Sequence, residues 1–128
     1  MIALPVTSLL AGLFALFMVP LSLQVSMRRG KVKVKYGDAK DETLRRRIRA
    51  HGNFAEYVPM ALIVLALLEY SGGTTALVWG LGAAFLASRV LHAAGMLYTS
   101  TSMLQVIGMV LQHVAFLVAG VRLVLGIL

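Results

Sequence analysis

The 128-residue sequence contains no cysteine. That excludes disulfides, thiolate metal sites and a cysteine nucleophile, and it leaves the compartment open. Charge is scarce too. Charged residues make up 13% of the chain and hydrophobic residues 59%, with a mean hydropathy of +0.87. A soluble domain carries about 25% charged residues. A chain this short buries too small a share of its surface to hide so many apolar side chains from water. A soluble globular enzyme is therefore excluded, and an integral membrane protein is expected. No soluble domain can be fitted in, and no internal repeat is evident beyond the apolar segments themselves.

The acids are fewer still, at five against twelve lysines and arginines, for a net charge of +7. In a soluble protein such a balance suggests nucleic acid. Its placement argues otherwise. Ten of the twelve basic residues lie between Arg28 and Arg49, with three of the five acids (Asp38, Asp41, Glu42). That segment holds the whole net charge and the remainder is neutral, so nucleic acid is not an expected partner.

Four apolar stretches fit membrane spans, each reaching the ~20 residues that cross a hydrocarbon core. They cover about 2–27, 46–70, 75–98 and 102–127. The first basic residue follows the first stretch instead of preceding it, which reads as a helix and not as a cleaved signal peptide. Pro20 and Pro59 each leave a carbonyl without its helical partner, at Leu16 and Ala55, and are expected to bend their helices. Residues 28–44 read as an extended polar loop, with alternating Lys31-Val-Lys-Val-Lys35 and a turn at Tyr36-Gly37-Asp38. Asp38 or Asp41 is expected to cap the second helix. Short turns at Ser71–Thr75 and Thr99–Ser102 join the rest. The positive-inside rule places the basic loop in the cytoplasm and both termini on the far side, with Trp79 near the outer interface. The expectation is an all-α, single-domain, four-helix membrane bundle surrounded by lipid.

Polar residues inside a span cost free energy and usually serve a function. Glu69 and Arg122 fall near outer ends, where snorkelling accounts for them. Arg49, Asn53 and Glu56 are spaced i, i+4, i+7 and share one stripe of the second helix. Arg89 and His92 lie on the third helix, which runs the other way, at a similar depth. Two readings follow. One is an internal Arg–Glu pair that neutralises itself. The other is a polar pocket in which guanidiniums take carboxylates and a carboxylate takes an ammonium. Haem ligation by His51, His92 and His113 is disfavoured, because nothing in their spacing matches a ligand pair. No metal site is expected. Gly80, Ala84 and Ser88 recur every four residues and would allow close helix approach, within one chain or between subunits. The seven methionines read as packing.

The run Arg49-Ala-His-Gly-Asn53-Phe-Ala-Glu56-Tyr57-Val-Pro59 resembles the second-helix signature R-A-x-x-N-x-x-E of the MAPEG superfamily, the membrane-associated proteins of eicosanoid and glutathione metabolism. Arg89-Val-Leu-His92 is similar to that family's third-helix R-x-x-H/Y pattern. The likeness covers essentially the whole chain and is greatest to a small, uncharacterised bacterial branch. It implies a homotrimer in the bacterial inner membrane, with a periplasmic side for the termini. It implies glutathione held between subunits near the cytoplasmic side by Arg49, Asn53, Glu56 and Tyr57, with Arg89 and His92 lining the same pocket. The reaction implied is glutathione transferase or peroxidase chemistry on a lipophilic substrate.

Two positions depart from the active eukaryotic members. Met96 stands where a tyrosine is common, and no lysine or arginine lies between Arg89 and Arg122. The fourth helix thus begins without the arginine that would stabilise a thiolate, offering only Gln105 there. Activation would fall to Arg49 or Arg89, the two candidates for a catalytic role. Two alternatives remain: a non-catalytic binding or structural protein of the same fold, and a small transporter using Glu56.

Overall fold

A computed structural model describes residues 3–72, 75–98 and 103–126. The chain folds into four helices: α1 (Pro5–Val32), α2 (Glu42–Gly72), α3 (Ala76–Tyr98) and α4 (Met103–Leu125). Each is long and apolar enough to cross a membrane. The turn expected at Thr99–Ser102 lies outside the described residues, as does part of the one at Ser71–Thr75. Helices α2 and α3 form the middle of the bundle. Helix α1 packs on both of them, α4 packs on both from the other side, and α1 and α4 are kept apart.

Among the described residues the buried core is aliphatic and aromatic. Phe54 of α2 receives Phe14 and Phe17 of α1 edge-on, with ring centroids at 5.5 and 5.3 Å. Such edge-to-face pairs add about 0.5–1.5 kcal/mol beyond their buried area. Phe85 of α3 meets Phe116 of α4 at 5.2 Å. Pro20 and Pro59 sit inside continuous helices.

The basic segment is not the extended loop its alternation suggests. Helix α1 continues past Met27 to Val32, taking in Arg28, Arg29, Gly30 and Lys31. The cations Arg29 and Lys31 lie in its last turn, where the carbonyl end of the dipole favours them. Lys33 then ends the helix in the left-handed conformation, at φ 57°. The short connection that remains has three further positive φ values, at Gly37, Ala39 and Lys40. Only glycine adopts these without strain, so side chains must hold the turn. Arg28 grips Asp41 through Nε at 3.0 Å and Nη2 at 2.6 Å, and Arg29 donates to the carbonyls of Lys35 and Gly37. Asp41 also caps α2, accepting from the Leu44 amide at 2.6 Å, so of the two aspartates expected as caps it is Asp41 that serves. Arg28 beside it holds the Asp41 carboxyl below its ordinary range, as Arg45 does for Asp38. With folded values depressed, these bonds are in place at neutral pH and are lost as pH falls through the folded values.

Glu69 overturns the snorkelling expectation. Its side chain is 3% exposed and turned into the bundle. It accepts from the amides of Val6 at 2.9 Å and Thr7 at 2.8 Å, and from the Thr7 hydroxyl at 2.8 Å. Leu4, at the N-cap of α1, makes no side-chain cap. Pro5 at the next position has no N–H, so Val6 and Thr7 carry the first free amides of the helix. A carboxylate borrowed from α2 satisfies both of them, and it suits the positive end of the α1 dipole.

Within the protomer Gly80 stands open, since a Cβ there would meet nothing within 4 Å. The tight crossing lies between α3 and α4, at Gly108. A Cβ on Gly108 would stand 2.7 Å from both the His92 nitrogen and the Ser88 carbonyl oxygen.

Candidate functional site

That crossing positions the polar cluster. Arg89 is 2% exposed and sits between α2, α3 and α4. Its Nη1 donates to Asn53 Oδ1 at 2.5 Å and its Nε to Ser88 Oγ at 3.3 Å. Its Nη2 lies 3.8 Å from the Met109 sulfur, and the guanidinium stands 5.0 Å above the Tyr57 ring. Cation–π attraction strengthens when the pair is desolvated. All these partners are neutral. Among the described residues no carboxylate lies within salt-bridge distance of Arg89, and the four ion pairs all belong to Arg28 and the start of α2. The self-neutralising Arg–Glu pair is therefore not formed in the protomer. A buried cation among neutral partners is costly.

The six residues expected at the site divide into two groups. Asn53, Arg89 and His92 are buried, and Tyr57 is half-buried over the guanidinium. Arg49 and Glu56 are exposed. They open the uncovered face of α2, which continues one turn at a time through exposed Met60, Ile63 and Leu67. His92 follows Arg89 by one turn of α3 and is buried with it. Tyr57 is flanked on α4 by His113, edge-on at 5.9 Å, and by Phe116 at 6.3 Å.

Three contributors were not singled out as site residues by the sequence. Ser88 reads there as a small packing residue, Met109 as filler and Gln112 as one polar neutral among several. In the fold, Ser88 Oγ hydrogen-bonds the Phe85 carbonyl at 2.7 Å and the Gln112 side chain, while Gln112 Nε2 is buried without a partner. A hydroxyl has one proton. Turning the Gln112 amide over lets its Nε2 donate to Ser88 Oγ while the hydroxyl serves Phe85. The signal was available in the spacing, since Ser88 adjoins Arg89 and Met109 and Gln112 are i, i+3 on one side of α4. Among the described residues no group of three His, Asp or Glu side chains converges on a metal position.

Fold and cluster together define a four-helix membrane protein with a buried arginine and an uncovered charged stripe on α2. The chain belongs to the MAPEG family, which matches residues 7–125. It is similar to the inner membrane protein YecN of Escherichia coli K12, 37% identical over 90 residues, which are 70% of this chain and 69% of that protein. YecN of E. coli O6:H1 matches equally. No solved structure matches.

Proposed function

We propose that the protein binds glutathione in the inner membrane, between copies of itself, and presents the thiol to a lipophilic electrophile arriving from the bilayer. One observation carries this reading. Arg49 and Glu56 are exposed on α2, and no hydrogen bond or ion pair within the chain satisfies either among the described residues. Charges facing lipid would be costly. A neighbouring subunit and a zwitterionic ligand remove that cost. Glu56 takes the α-ammonium of the tripeptide, and Arg49 and Arg89 take carboxylates. A homotrimer with the basic segment in the cytoplasm would have its site on the side where positive charge along the chain is densest.

A second reading is favoured by the start of α4, where no cation stands to lower the thiol pKa. In that case the ligand binds without being activated. Calorimetric titration of the purified full-length chain with glutathione, followed by a conjugation assay with a model electrophile, decides. Saturable heat at up to millimolar ligand supports the site, with Glu56→Gln weakening it about tenfold. Binding without conjugation selects the second reading. No heat in this range, or an unchanged affinity in Glu56→Gln, overturns the assignment.

A further inference from the structure

A polar cleft opens where the basic segment meets the bundle. It is lined by Gln24 of α1, by Glu42, Thr43, Arg46 and Arg47 of α2, and by Leu97 and Tyr98 at the end of α3, and it holds about 340 Å³. None of the six residues placed at the glutathione site lines it. Ligand pockets run from about 300 to 1,000 Å³, so this volume suits a headgroup and not a larger solute.

The lining is ordered before any ligand arrives. Arg47 Nη1 donates to the Gln24 carbonyl at 3.0 Å, which ties its guanidinium to α1. A guanidinium has five N–H donors, so this bond leaves the fork geometry that suits a phosphate. Glu42 is the cleft's carboxylate. It is engaged by Arg45 at 3.3 Å and Arg46 at 3.1 Å. The cleft with its rim therefore keeps a positive balance. Thr43 and Gln24 add neutral hydrogen-bonding groups. Leu97 and the exposed Tyr98 supply the apolar edge, and tyrosine favours the membrane–water boundary.

We propose that this cleft is a binding site for the phosphodiester headgroup of an anionic phospholipid of the phosphatidylglycerol type. Arg46 and Arg47 hold the phosphate. The glycerol hydroxyls bond to Glu42, Thr43 and Gln24, and the acyl chains leave past Leu97 along the apolar surface. The chemistry recognised is a phosphate oxyanion, which a free phosphate shares. The lipid is favoured because the cleft lies among three helices at the end of their apolar stretches.

Native mass spectrometry of the full-length chain in detergent, titrated with phosphatidylglycerol and with phosphatidylcholine, tests the proposal. One saturable phosphatidylglycerol per protomer is expected, bound about tenfold more tightly than phosphatidylcholine, whose headgroup has no hydroxyl to donate. Arg47→Gln and Arg46→Gln should each lower that affinity about three- to tenfold, while Lys33→Gln, outside the cleft, should not. The melting temperature shows whether each variant is folded. If Arg47→Gln fails to fold, Arg46→Gln carries the test. Equal binding of the two lipids, or an equal loss in Lys33→Gln, overturns the site in favour of diffuse charge. Displacement of the lipid by millimolar inorganic phosphate overturns the lipid assignment in favour of a free-phosphate site. Glutathione enters none of these readings, so this inference and the proposed function can fail separately.

Discussion

Replacing Glu69 with alanine should destabilise the protein by about 3–5 kcal/mol, since a buried donor left without a partner costs about 1–3 kcal/mol. Three donors are stranded at once: the amides of Val6 and Thr7 and the Thr7 hydroxyl. They belong to one small network, so their costs do not simply add, and the expected total stays below the sum of the maxima. The first turn of α1 should fray, because neither Leu4 nor Pro5 offers another cap. Glu69→Gln keeps a carbonyl acceptor and should lose roughly half as much, and Thr7→Val about 1 kcal/mol. Unfolding in mixed detergent followed by circular dichroism measures all three. A snorkelling carboxylate predicts almost no change in any of them. A Glu69→Ala loss below about 0.5 kcal/mol, the range of ordinary surface substitutions, would favour that older expectation.

The second large effect belongs to Gly108. In Gly108→Ala the new methyl meets two backbone atoms of α3, the His92 nitrogen and the Ser88 oxygen, each at 2.7 Å. Neither can rotate away, so α4 must lift off α3. Overpacking of this kind costs about 1–3 kcal/mol. The loss also reaches the polar cluster, because Met109 and Gln112 ride on the same helix and help surround Arg89 through the Met109 sulfur and Ser88. Gly108→Ala should therefore lower both the melting temperature and ligand affinity. Gly80→Ala is the matched control. Its methyl meets open space, and alanine is the better helix former by about 1 kcal/mol. Equal melting temperatures for the two variants would show that the α3–α4 crossing is looser than described.

These two residues also show what the sequence concealed. The four helices follow from the apolar runs alone, because spanning length and composition leave little choice. The meeting of Arg89 with Asn53 followed from counting depth along two antiparallel helices. Helical spacing sets Arg49 and Glu56 on the Asn53 stripe but does not say which part of that stripe faces the neighbouring helices; Asn53 is buried and the other two are exposed. Glu69 was misread because its partners are backbone amides more than sixty positions away, which no side-chain pattern displays. A hint was present, since a helix starting Leu4-Pro5 lacks any capping side chain and must be satisfied from elsewhere. The end of α1 was misread because Gly30 and the Lys–Val alternation mimic a strand. The helix persists there since glycine costs only about 1 kcal/mol and the cations suit the C-terminal dipole. The crossing at Gly108 depends on which faces meet; Ser88, the last of the small residues spaced along α3, lies at it, but that spacing does not name Gly108 as the partner.

Arg49 and Glu56 meet a ligand and not lipid only if a second copy closes the uncovered face of α2. The absence of native cysteine makes this directly measurable by cysteine labelling in native membranes. Ile63→Cys stands on the same face as Glu56 and is 53% exposed in the protomer. It should resist a membrane-permeant maleimide, unlike Leu16→Cys on the outer side of α1, which is 74% exposed. An Ile63→Cys protein that is labelled as fully as Leu16→Cys would place that face in lipid and leave Arg49 and Glu56 without a covering subunit.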